Sequence, residues 1–107
     1  MSAGDERGRR VDFRRVAEIA LRNAEVVASG LCPDGRRSGS EWVARNPRRP
    51  EGSLGSFKIN LATGRWADFA REDKGGDLVS LAAYVAAAPQ RDAAIRLAES
   101  LGVDPYE

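Results

Sequence analysis

The residues of this chain best suited to chemistry are cations in its middle third: Arg45, Arg48, Arg49, Lys58 and Arg65, with Trp66 beside the last and Trp42 just before the first. A guanidinium forks onto phosphate oxygens and an indole offers a face on which a base stacks. Cations interleaved with tryptophan therefore fit sequence-tolerant binding of a single strand. Arg48 and Arg49 also have a plainer reading as a solvated loop, with Arg49 paired to Asp68. Constellations that make or break bonds are missing. The sequence has no histidine and one cysteine, and no serine or cysteine stands beside a general base. Glu72, Asp73 and Asp77 with Lys74 among them need no magnesium to explain them. Gly75-Gly76-Asp77 lacks the closing Lys-Ser/Thr of a phosphate loop and puts an acid where a phosphate would sit. Cys32-Pro33 has no second sulfur or imidazole to complete a metal knuckle, so Cys32 reads as a small, half-buried hydrophobe. The chain is expected to be no enzyme and to carry no cofactor.

The elements that must position these groups centre on residues 55–81. Phe57, Ile59 and Leu61 alternate with Lys58 and Asn60, which predicts a strand with Lys58 exposed and both of its neighbours buried. Ala62-Thr63-Gly64 closes a hairpin onto a second strand carrying Trp66 and Phe69. Asp77 then caps a helix with Leu78, Val79, Leu81, Ala82 and Val85 at helical spacing. Upstream, Asp12 caps a stripe of Phe13, Val16, Ala17, Ala20, Leu21, Ala24, Val27 and Ala28, a helix of about five turns that Ser29-Gly30 ends. Residues 40–45 predict one more strand, and Pro89 starts a last helix whose apolar stripe Gly102 closes. The expected fold is α+β: an antiparallel sheet of about three strands, a long N-terminal helix and a C-terminal helical pair. Residues 1–10, rich in Gly, Ser and charge, read as a disordered tail, and residues 11–107 as one domain, with the first helix over 11–30, the sheet over 40–70 and the helical pair over 77–102.

Composition bounds the rest. At 107 residues with a net charge of +1, the chain is one small domain with no global field toward nucleic acid or membrane. Charge is uneven: Arg36, Arg37 and the middle cations outnumber Asp34, Glu41 and Glu51, whereas the stretch from Glu72 onward is mostly acidic. A lone cysteine suits a reducing compartment, no apolar run is long enough for a membrane span, and the opening residues are too polar for a signal peptide. A cytoplasmic protein is expected.

The order Asn46-Pro47-x-Arg49, Gly55-Ser56-Phe57, Gly64-x-Trp66-x-Asp68-Phe69 and Gly75-Gly76-Asp77 resembles the N-terminal zinc-ribbon domain of bacterial-type (DnaG-like) DNA primases. It is most similar to the variants found in phage, plasmid and other mobile-element replication proteins. The resemblance covers roughly residues 38 to 101. It implies a ribbon fold and a place in DNA replication. It also implies zinc in members that keep Cys-Pro-x-His and Cys-x-x-Cys knuckles; here Asn46 and Arg49 stand at the first pair, and Asp68 and Arg71, or a neighbouring pair one residue out of register, at the second, so the ligands are absent. A polar clamp is the expected replacement, with Asp68 accepting from Arg49 or Arg71 and Asn46 bonding the backbone of the opposite turn. Trp42, Phe57, Trp66 and Phe69 would add core cohesion.

Two functions follow. One is a non-catalytic module that binds single-stranded DNA for a primase or replication system, presenting Arg45, Arg48, Arg49, Lys58 and Arg65 to phosphates and stacking a base on Trp66 or Trp42. The other is an interaction module docking onto a replication helicase, primase or polymerase through the first helix or the acidic C-terminal face, which the near-neutral charge favours.

Overall fold

Asp12 and Asp77 begin two helices by the same device, a carboxylate that accepts an otherwise unpaired N–H of the first turn. In the computed structural model, which describes residues 8–49 and 51–107, Asp12 Oδ1 takes the Arg15 N–H at 3.0 Å and Asp77 Oδ1 takes the Ser80 N–H at 2.8 Å. Ser80 Oγ lies 3.4 Å from the Asp77 nitrogen and completes a capping box. Among the described residues the helices are α1 (Phe13–Arg22), α2 (Ala24–Leu31), α3 (Leu78–Ala86) and α4 (Gln90–Leu101). No helix among them is long and apolar enough to cross a membrane.

The long first helix expected over residues 11–30 is thus two helices broken at Asn23. The Asn23 amide bonds back to the Ile19 carbonyl at 2.9 Å while its backbone leaves helical geometry. A short polar side chain that competes for backbone partners offers the chain this exit. The apolar stripe still holds across the break, with Val16, Ala20, Ala24, Val27 and Ala28 buried, although Phe13 at its start is 42 % exposed.

Among the described residues the sheet has five antiparallel strands in sequence order: β1 (Arg36–Ser38), β2 (Glu41–Ala44), β3 (Phe57–Asn60), β4 (Trp66–Asp68) and β5 (Asp73–Gly75). The expected three are β2, β3 and β4. The extra pair are three-residue edge strands built from Arg-Arg-Ser and Asp-Lys-Gly, whose charges suit an exposed edge but give no apolar alternation by which to recognise a strand. Trp42, Ala44, Phe57, Ile59, Trp66 and Asp68 point to one face and are buried. The helices gather there: Trp66 Nε1 donates to Ser80 Oγ at 3.0 Å, and Trp42 Nε1 to the Cys32 carbonyl at 3.0 Å. Phe57, Trp66 and Tyr84 pack as an aromatic cluster with ring centroids 4.7 to 6.0 Å apart. Gly75 makes room for it, because a Cβ there would lie 2.4 Å from Trp66 Nε1 and 2.5 Å from Ser80 Oγ.

Both ends of the described chain meet. Val11 bridges Tyr106, the Asp12 N–H bonds to the Pro105 carbonyl at 2.8 Å, and the Glu107 N–H bonds to the Arg10 carbonyl at 2.9 Å. Of the tail expected over residues 1–10, residues 1–7 lie outside the described residues. Arg9 and Arg10 are no loose tail, being held by this pairing and by Arg9 lying 4.5 Å over the Tyr106 ring.

Candidate nucleic-acid interface

Strand alternation that sends Trp42, Phe57 and Trp66 inward must send their neighbours out. The register places Arg36, Val43, Lys58, Ala67 and Lys74 directly opposite one another in a single row across all five strands. Three of the five are cations. Side chains opposite one another share a face, so the row lies on the side of the sheet away from the helices. Arg65 joins it from the β3–β4 turn, where the Asn60 carboxamide accepts the Ala62 and Thr63 N–H groups at 2.8 and 3.0 Å. Gly64 closes that turn at φ 81°, in the left-handed region that only glycine enters freely. Lys58, Arg65, Lys74 and Phe69 line one shallow depression, with Glu41 as its acid. Phe69 is 68 % exposed, and the Lys58 ammonium sits 5.6 Å over its ring.

Of the cations singled out in the sequence, only Lys58 and Arg65 share this face. Arg45 lines a separate recess with Pro33, Asp34, Asn46 and Pro47, where its Nε is buried without a hydrogen-bond partner. Arg48 lies 4.9 Å over the Tyr84 ring, and Arg49 pairs with Asp68. Trp66 and Trp42 are 5 % and 9 % exposed, so neither has a face free to stack a base. Sheet and helix take both indoles, and each N–H finds an acceptor there. Phe69, expected in the core, is instead exposed on this face. Parity shows why: counting from Trp66 inward, Ala67 points out, Asp68 in and Phe69 out. Arg36 and Lys74 went unrecognised because their strands did.

The clamp forms with Arg49 on Asp68 as expected, while Asn46 and Arg71 take other partners than those expected. Asp68 is fully buried and Asn46 is 1 % exposed. Asn46 Nδ2 donates to Asp68 Oδ2 at 2.8 Å and to Tyr84 Oη at 2.7 Å, and Tyr84 Oη donates on to Asp73 Oδ2 at 2.8 Å. Arg49 Nη1 reaches Asp68 Oδ2 at 3.4 Å, and the Ala70 N–H reaches Oδ1 at 2.9 Å. Asn46 does not bond the backbone of the opposite turn; its Oδ1 takes the Arg48 N–H of its own loop at 2.8 Å. Arg71 enters only through its N–H on the Asp68 carbonyl at 3.1 Å, with its side chain exposed, because the turn aims it outward. Tyr84 and Asp73 complete the network. No spacing in the sequence pairs them, because Asp73 sits on an edge strand and Tyr84 on α3. Burial alone would raise the Asp68 carboxyl, but the bonds from Asn46, the Ala70 N–H and Arg49 hold it below its ordinary value. Burial raises the Tyr84 hydroxyl, and the Asp73 carboxylate it bonds adds to the rise.

Zinc does not fit these residues. An arginine and an asparagine amide turn their N–H groups onto the one buried carboxylate, and neither supplies the sulfur or imidazole lone pair that zinc takes. Among the described residues no three of His, Cys, Asp and Glu are grouped to hold a metal ion. Cys32 is fully buried, and burial, reinforced by Asp34, pushes its thiol up to about 12. A thiol so buried and protonated is a poor nucleophile at neutral pH. Comparison with known proteins finds no family model, no curated protein and no solved structure that matches this chain.

Proposed function

We propose that this chain is a non-catalytic module that takes single-stranded DNA on the open face of its sheet, as a template-binding or accessory part of a primase or replication system. The observation that carries the binding reading is the cross-strand row of Arg36, Lys58 and Lys74 beside the exposed Phe69. Cations aligned on a face no helix covers, with one aromatic ring among them, serve phosphates and a base at once. Adjacent strands lie about 4.8 Å apart, so the row is about 19 Å long and suits only a few nucleotides. The replication context comes from the resemblance to primase zinc ribbons, in which the Asn46–Asp68 clamp takes the place of the metal. The test is fluorescence anisotropy of labelled oligothymidylate at two salt concentrations. The unaltered protein is expected to bind at micromolar concentration and to weaken steeply with salt. Replacing Lys58, Arg65 and Lys74 together by alanine should lower the salt slope by about 2, at about 0.7 per lost phosphate contact. Binding indifferent to all three would reject this face.

A second reading, docking onto a replication protein, is favoured by an apolar groove of about 410 Å³ between α2, α3 and α4, lined by Val26, Leu31, Ala86 and Leu97 with Arg96 among them. Arg96 makes no ion pair among the described residues, so the occupant it suits is an amphipathic helix carrying a carboxylate. Val26 is 68 % exposed and Val26→Asp should leave the fold intact. Capture of a replication protein that survives nuclease and is lost in Val26→Asp would support this reading; capture unchanged by the substitution would reject it.

A further inference from the structure

Arg45 is a cation that the fold leaves unanswered. Its Nε is buried without a hydrogen-bond partner, and its guanidinium makes no ion pair among the described residues. A buried donor without an acceptor is a cost to the fold, and a ligand that brings the acceptor removes it. The recess that Arg45 lines has a volume of about 260 Å³, and the only acid lining it is Asp34. Asp34 is exposed and is also in no ion pair among the described residues. Asn46, on the same wall, is already committed to Asp68, Tyr84 and the Arg48 N–H. Two groups are therefore left to read a ligand, a forked donor and a carboxylate that do not pair with each other.

That combination selects its ligand. A bare anion is opposed by Asp34 and a bare cation by Arg45, so the group that answers both is neutral, with acceptors on one edge and donors on the next. Guanine presents O6 and N7 to a guanidinium fork, and N1–H and N2–H to the two oxygens of a carboxylate, edges that are open in a single strand. No other base pairs two adjacent acceptors with two adjacent donors. Pro33 and Pro47, which also line the recess, supply apolar surface for the ring plane.

The recess adjoins the cationic row. Arg36 pairs with Val43 at the β1 end of that row. Asp34 stands two residues before Arg36 and Arg45 two residues after Val43, about 7 Å further along at strand spacing. Gly35 keeps the intervening chain pressed onto β2, since a Cβ there would lie 2.4 Å from Trp42 Nε1 and 2.8 Å from the Ala44 Cβ.

We infer that this recess reads one guanine of the bound strand, with Arg45 donating to O6 and N7 and Asp34 accepting from N1 and N2. The inference rests on the reading of the sheet as a single-strand face, to which it adds a base preference.

The test is anisotropy at two salt concentrations with labelled strands of about eight nucleotides, within the range of single-strand site sizes. One strand is all thymine, and the others carry one central guanine, adenine or cytosine. The unaltered protein should bind the guanine strand about tenfold more tightly than the other three. Asp34→Asn changes an exposed side chain and leaves the fold intact, which an unchanged melting temperature verifies. It should erase the guanine preference while binding the thymine strand at least as tightly as before, because an acid is gone. Arg45→Lys keeps the charge and loses the fork, and should erase the preference with the salt slope unchanged. Equal affinity for all four strands, preference for another base, or a guanine preference that survives both variants overturns the recess and leaves the sheet reading standing. No binding of any strand at low salt overturns both.

Discussion

A carboxylate taken out of water is tolerable only when its oxygens are met, and Asp68 meets three donors while fully buried. Asp68→Ala strands the Asn46 amide and the Ala70 N–H, and should cost about 3 kcal/mol, a fall of roughly 15 °C in melting temperature. An unchanged melting temperature would show that the clamp does not hold the fold together. Because the folded carboxyl lies below its unfolded value of about 4, its contribution is complete above that pH and disappears as pH falls through the folded value. Asp68→Asn should therefore flatten the loss of stability on acidification, measured as melting temperature against pH from about 6 downward. Cys32 should resist a thiol reagent at pH 8 in the folded protein and react once unfolded, which a chromogenic disulfide reads directly. Arg49 with Asp68 was legible in the sequence as an ordinary ion pair, whereas Asn46 was expected beside them only on the resemblance to zinc ribbons. The partners Tyr84 and Asp73 were not, since the bond joining them crosses from α3 to an edge strand that the sequence does not announce.

At the scale of elements, helix starts were readable because a cap is local chemistry: Asp12 and Asp77 each act within three residues. The hairpin of β3 and β4 was readable because Phe57 and Ile59 alternate with Lys58, and both are fully buried. Two features were set from a distance. Asn23 interrupts a stripe whose apolar spacing never falters, and β1 and β5 are strands only because a neighbour supplies their ladder. Gly75 shows how tightly β5 is fitted. Gly75→Ala would drive a methyl into Trp66 and Ser80, and should destabilise by about 1 to 3 kcal/mol in chemical denaturation. Gly30→Ala, where an added Cβ meets nothing within 4 Å, is the matched control and should not destabilise.

For the whole molecule, a net charge of +1 conceals a division in space. The sheet's open face carries Arg36, Lys58, Arg65 and Lys74, while Arg49 is spent on the internal clamp. Charge counted along the chain placed Lys74 in the acidic C-terminal stretch, and only the register moves it beside Lys58. Phe69 should supply the stacking term: Phe69→Ala is expected to weaken single-strand binding by about 1 to 2 kcal/mol without lowering the melting temperature, because its ring is exposed. The most direct test of the sheet as the binding face is amide chemical-shift mapping of the isotope-labelled protein titrated with oligothymidylate. The expected result is perturbation centred on Lys58, Ala67, Phe69 and Lys74, leaving the groove around Val26 and Leu97 unmoved. Shifts confined to that groove, or no shifts at low salt, would contradict it.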